Sequence, residues 1–164
     1  MSFERVEDIR AWRQAYSFKL AIYGLIRTEP LAADFTLCDQ LRDAAASTVS
    51  QIEEGFARFY PKDFGRMVVG AKASMQECRG HLRDAVDRGH ITDAKRAELD
   101  SAADGAMKEM AGLIDYLQSP EAEENARRIR ARSGERRAAR LRRREQNKPV
   151  ANSEAGTEPR TESS

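Results

Sequence analysis

Four stretches of this chain repeat their apolar residues every three to four positions, and none alternates them every two. That period belongs to the α-helix, because 3.6 residues per turn bring positions i, i+3, i+4 and i+7 onto one face. The first stretch predicts a helix from about Asp8 to about Thr28. It carries two adjacent rows, Ile9, Trp12, Tyr16, Leu20, Tyr23 and Ala11, Ala15, Phe18, Ile22, Leu25. A helix apolar over that much of its circumference wants cover on more than one side, which predicts a subunit contact beyond the intrachain core. Glu29-Pro30 ends the helix, and Asp34 is a suitable N-cap for the next. The second helix is expected to run to about Phe59 on Cys38, Leu41, Ala45, Val49, Ile52, Phe56 and Phe59. Pro61 opens the third, with Phe64, Val68, Ala71, Met75, Cys78 and Leu82 in its row and Gly89 at its end. Thr92 caps the fourth, which carries Leu99, Ala103, Ala106, Met110, Leu113 and Leu117 and stops near Ser119-Pro120. Connections this short make neighbours antiparallel, so residues 1–119 are expected to be an all-α, up-down four-helix bundle.

Charge divides the chain differently. Residues 1–120 carry a net −3, residues 121–148 a net +6 and residues 149–164 a net −2. The segment 120–148 is rich in helix formers, but Ile129 and Leu141 are its only large apolar residues, and Ser133-Gly134 should weaken it. It reads as a basic, partly helical C-terminal arm, and 149–164 reads as a disordered tail. No stretch approaches the ~18 apolar residues of a membrane span. Two cysteines make no disulfide framework, and no secretory or transit segment precedes the fold, so a reduced, cytoplasmic protein is expected.

Several pieces together resemble one known family. Phe3, Val6, Asp8-Ile9, Trp12 and Ala15 are similar to the opening of the four-helix-bundle proteins called 23S rRNA-intervening-sequence proteins. Gln40-Leu41-Arg42 with Ala44-Ala45 resembles that family's Q-L-x-R-A-A segment. Residues Ser47 to Arg58 resemble its S-I-P-x-N-I-A-E-G-x-x-R signature, and Phe64, Ala71-Lys72-Ala73-Ser74 and Glu77 its F…A-R-G-S-x-x-E segment. Thr48-Val49 stands where the family has Ile-Pro, Gln51 where it has Asn, Glu53 where it has Ala, Asp43 where it has Arg and Ala73 where it has Gly. The resemblance spans about residues 3–118. It implies a homo-oligomer, pentameric in known members, with no catalytic activity. It also implies an association with nucleic acid, related bundles being accessory factors to reverse transcriptases.

The arm is the strongest partner signal. Arg127, Arg128, Arg130, Arg132, Arg136, Arg137, Arg140, Arg142, Arg143, Arg144 and Lys148 crowd into it, with Arg58 and Lys72 as weaker candidates on the bundle. Arginine's planar fork bonds phosphate oxygens bidentately, which points to RNA or DNA held through charge. The arm has no apolar face to insert into a membrane. The polar strip Gln40, Ser47, Gln51, Glu54 and Arg58 reads as a solvated or interface face rather than a site, and Trp12, Tyr16 and Tyr23 read as core.

No catalytic set emerges. Glu53 and Glu54 point about 100° apart on a helix, and neither His81 nor His90 has an obvious orienting partner. The paired Glu-x-x-His motifs of bundle di-metal sites are missing, and Cys38 and Cys78 fall on core rows. The expectation is a non-enzymatic, homo-oligomeric nucleic-acid-binding or accessory module without cofactor, metal or small-molecule substrate. The alternative is a protein–protein interaction scaffold whose arm meets an acidic protein.

Overall fold

A computed structural model describes residues 3–58 and 60–146. Its helices are α1 (Arg10–Leu25), α2 (Phe35–Phe56), α3 (Pro61–Asp87), α4 (Asp93–Leu117) and α5 (Pro120–Gln146). Single 3-10 turns, Val6–Asp8 and Leu31–Ala33, precede α1 and α2. No strand occurs among the described residues.

The boundaries follow local chemistry. The Asp34 carboxylate accepts from the Leu37 N–H at 3.1 Å, and the Thr92 hydroxyl accepts from the Lys95 N–H at 3.2 Å. Both are N-caps that satisfy amides left over by the first turn. Pro61 takes the first position of α3, where no N–H is required. Gly89, at φ 74°, closes α3. Its N–H bonds the Val86 carbonyl, and that of His90 bonds the Ala85 carbonyl, a Schellman pairing that needs the left-handed glycine between. The Ser119 hydroxyl accepts from the Ala122 N–H at the start of α5.

Around the bundle, α1 packs on α2, α2 on α3, α3 on α4 and α4 on α1. Contacts run in opposite senses along each pair: Gly55 lies on Phe64 and Cys78 on the Leu41 carbonyl, while Arg10 meets Glu109 and Gln14 lies on Gly105. Neighbouring helices are therefore antiparallel. The core is filled by Phe18, Ile22, Leu41, Ile52, Val68, Met75, Leu82, Leu99 and Met110, all at most 2% exposed.

Several boundaries and faces differ from the sequence expectation. Helix α1 is shorter at both ends, because Ile9 is extended and the Thr28 hydroxyl bonds back to the Leu25 carbonyl. Helix α2 ends at Phe56, and Phe59 lies outside the described residues. Of the two apolar rows on α1, the one through Ala11, Ala15, Phe18, Ile22 and Leu25 is the core row. The other row is core only at Ile9, which is 1% exposed. Trp12 and Tyr23 are half-buried, and Tyr16 and Leu20 are 36% and 51% exposed. Small alanines let α1 approach its neighbours on one side, and the large rings fall on its shoulder. Helix α5 continues through Ser133-Gly134. One glycine costs a helix only about 1 kcal/mol, and the flanking Ala, Arg and Glu favour it.

The chain divides into two compact units after Arg130, so the first turns of α5 belong with the bundle. In the first unit Ala122 is 3% exposed. The described part of the second unit, residues 131–146, is the remainder of α5. The residues beyond Gln146, including the tail, lie outside the described residues.

One polar knot joins two ends of the chain's helices. Besides capping α2, Asp34 accepts from Arg88 at 3.1 Å and faces His90 Nε2 at 2.9 Å. The Leu37 amide first, then His90 and Arg88, hold the Asp34 carboxyl below the usual carboxylate range. A depressed folded-state value means that this contribution is complete above the unfolded value and is lost as pH falls through the folded one. Asp34→Asn keeps a capping oxygen but removes the titration. The expected result is a urea midpoint that falls less steeply between about pH 5 and pH 2 than wild type. Parallel acid limbs for the two proteins would show that Asp34 carries no linkage.

Candidate nucleic-acid interface

The positive residues of the chain concentrate on α5, and the helix dictates how they are displayed. Within residues 131–146, Arg132, Arg136, Arg140 and Arg143 recur at steps of four, four and three. That spacing sets them on one side of the helix, along about 16 Å of its length. All four are exposed, as is Arg142. Arg137 and Arg144 belong to the same helix. Acids in this stretch are limited to Glu135 and Glu145. Lys148 lies outside the described residues.

In the first unit, Arg127 and Arg128 are exposed, and Arg128 pairs with Glu124 one turn back at 3.1 Å. An exposed i,i+4 pair is worth tenths of a kcal/mol, so it leaves Arg128 available. Arg130 is half-buried, with its guanidinium 4.8 Å from the centre of the Tyr60 ring. Arg58, at the end of α2, is exposed, and Lys72 on α3 is half-buried.

The polar strip expected on α2 splits in two. Gln40, Glu54 and Arg58 face solvent. Ser47 and Gln51 turn instead toward α3: Gln51 Nε2 donates to Ser47 Oγ and Ser74 Oγ, each at 2.9 Å, and the two hydroxyls lie 3.0 Å apart. Gln51 fits because Gly70 has no side chain. A Cβ there would stand 1.9 Å from Gln51 Oε1. So Ser47 and Gln51 of the signature-like stretch join α2 to α3.

The aromatic residues of α1 also act across helices. Trp12 Nε1 donates to Glu53 Oε1 at 3.0 Å and stacks on Tyr16 at 4.8 Å, and Lys19 Nζ sits 4.2 Å from the Tyr16 ring centre. Sequence periodicity alone left Trp12 and Tyr16 in the core, because it does not distinguish a buried row from a shoulder.

Two charged clusters escaped the sequence reading. Asp100 is 9% exposed, accepts from Arg79 at 3.0 Å and also pairs with Arg96, while Arg79 reaches Asp104 at 2.8 Å. Arg96, Asp100 and Asp104 stand at helical spacing on α4; Arg79 comes from α3, so no local signal foretold it. His90, expected to lack an orienting partner, has one in Asp34. His81 lies 3.9 Å from Glu77.

Both thiols are free and buried. Burial pushes the Cys78 thiol up to about 12 and raises that of Cys38, whose S–H lies 3.2 Å from the Leu31 carbonyl. Such thiols stay protonated at neutral pH and serve as packing. Among the described residues no three His, Cys, Asp or Glu side chains gather to hold a metal ion, and no helix is long and apolar enough to cross a membrane.

A family model described as 23S rRNA-intervening sequence protein matches residues 7–112. No curated protein matches the chain at a significant level. The matched range covers α1 to most of α4 and leaves α5 outside.

Within that range, Gly55 marks the tightest approach of α2 to α3. A Cβ on it would stand 2.4 Å from the Phe64 ring and 2.9 Å from Met67 Cβ. Alanine gains about 1 kcal/mol of helix propensity over glycine, but overpacking a filled site costs about 1–3 kcal/mol. Gly55→Ala is expected to lower the urea midpoint. Gly112→Ala on α4, which meets nothing within 4 Å, is expected to raise it by the equivalent of about 0.5–1 kcal/mol. A stabilising Gly55→Ala would show that the contact relaxes freely.

Proposed function

Because the chain belongs to the 23S rRNA-intervening sequence protein family, we propose that it is a non-enzymatic, homo-oligomeric accessory module that binds RNA or DNA through charge. The observation that carries this reading is the exposed stripe Arg132, Arg136, Arg140 and Arg143 on α5. Guanidinium groups bond phosphate oxygens in pairs, and each neutralised phosphate releases condensed counterions. Such binding tolerates any sequence and weakens steeply with salt. Arg127, Arg128 and Arg142 add to the same field, with Arg58 and Lys72 as lesser contributors from the bundle.

Self-association is supported by apolar side chains left open on the bundle. Leu20 is 51% exposed, Phe35 78% and Val69 55%. Several copies in one assembly would present several arms, and linked weak sites raise overall affinity without new contacts. The two buried free thiols accord with action in the cytoplasm.

The test uses the full chain and a duplex of mixed sequence. Four neutralised phosphates give a salt slope of about −3.6 and a loss of roughly a hundredfold in affinity between 50 and 200 mM salt. Replacing Arg132, Arg136, Arg140 and Arg143 together with alanine is expected to flatten that slope by about that amount. Binding that ignores salt, or that survives the fourfold replacement intact, would sink the reading. Light scattering at micromolar concentration should return a mass several times that of one chain. A monomer would remove the oligomer from it. Retention of one acidic protein after nuclease treatment, without nucleic acid, would favour the scaffold alternative, which the open Leu20 face also suits.

A further inference from the structure

One cleft of about 240 Å³ opens in the first unit where the end of α2, the start of α3, the end of α4 and the first turns of α5 converge. Its walls include Phe3, Phe56, Phe64 and Tyr116, with Arg58 and Arg130 also lining it. The rings meet edge to face. Phe56 and Phe64 lie 6.3 Å apart at 73°, and Phe3 and Tyr116 lie 6.1 Å apart at 82°. No acidic side chain is among the lining residues. Small side chains, Ala57, Ala122 and Ala126, keep the space open.

Two details say more about what fits. Arg130 Nη1 is the one buried side-chain nitrogen or oxygen without a hydrogen-bond partner among the described residues. A buried donor left unmade is costly, so turning the Arg130 guanidinium from its burial toward an anion on this wall would relieve that cost. The second detail is Asn125, which also lines the cleft; its amide donates to the Tyr116 hydroxyl at 3.2 Å and is hydrogen-bonded to the Glu121 carboxylate as well. An acyl chain would have no use for an amide among the rings. A flat heterocycle with an amino edge has, because the amide oxygen can accept from it while the amide N–H groups are held by Tyr116 and Glu121. The volume lies below the ~300–1,000 Å³ of sites for drug-sized ligands, which suits a single ring system.

We propose that this cleft takes one unpaired nucleotide, its base among the aromatic rings and beside Asn125, its phosphate on Arg130 and Arg58. Aromatic stacking tolerates any base, and paired bases are not free to enter, so the site would add a preference for single strands. This inference rests on the nucleic-acid reading above but concerns the bundle, where that reading depends on the stripe beyond Arg130.

The probe is adenosine 5′-monophosphate, titrated into the full chain carrying labelled alanine and isoleucine methyls and followed by NMR. The methyls of Ala57, Ala122, Ala126 and Ile129 are expected to shift together and to saturate. Arg130→Gln is expected to weaken that binding about tenfold, and Ala126→Leu, which fills the cleft, to abolish it, both with unchanged circular dichroism. The fourfold arginine-to-alanine variant of the stripe is expected to lose duplex binding and keep these shifts, so the two readings fail separately. Three results would overturn the proposal: still methyls at saturating nucleotide, the same shifts from inorganic phosphate alone, or shifts produced by octanoate and not by the nucleotide. Loss of the shifts in the stripe variant would move the nucleotide to the arm and overturn it as well.

Discussion

The close approach of α2 to α3 sets the geometry on which the rest of the first unit depends. Gly55 admits the Phe64 ring, and Gly70 admits the Gln51 amide. Between them the polar bridge Ser47–Gln51–Ser74 fixes how far one helix can slide along the other. Apolar packing alone is indifferent to small sliding, because it is non-directional. Hydrogen bonds of defined length are not, and a part-buried network satisfied in one register penalises every other. With α2 and α3 locked, α1 and α4 close the ring over Phe18, Ile22, Leu99 and Met110, which are buried to within 2%.

The α3–α4 contact uses a different device for the same end. Asp100 is nearly buried, so its charge must be answered by Arg79 and Arg96. A buried pair of this kind adds little net stability against an apolar substitute, but losing one partner leaves a charge stranded. It therefore selects the arrangement in which both partners meet. The Asp34 knot with Arg88 and His90 plays that part at the end of the bundle where α2 begins and α3 stops.

Helix α5 is held on other terms. Its opening turn is capped by Ser119 and anchored by Ala122, but beyond Arg130 the described side chains are exposed on every side. Burial does not hold these described residues, so this part of the helix rests on the propensities of Ala, Arg and Glu. A helix that has no core to serve is free to commit its whole surface to charge. The same end of the first unit also holds the ring-lined cleft, where burial leaves a donor of Arg130 unanswered.

By itself, the sequence determined the four helices, their caps at Asp34 and Thr92, the glycine stop at Gly89 and the family, because each is written in residues close along the chain. Period 3.6, capping oxygens and a left-handed glycine are local properties, legible wherever the backbone needs them. Tertiary structure decided which of the two rows on α1 is core, that Gln51 bridges helices, that Arg79 answers Asp100, and that four rings and two arginines share one cleft. Each joins residues some 20 to more than 100 positions apart. Their meeting depends on how whole helices rotate and slide against one another, and periodicity fixes a face without fixing its partner.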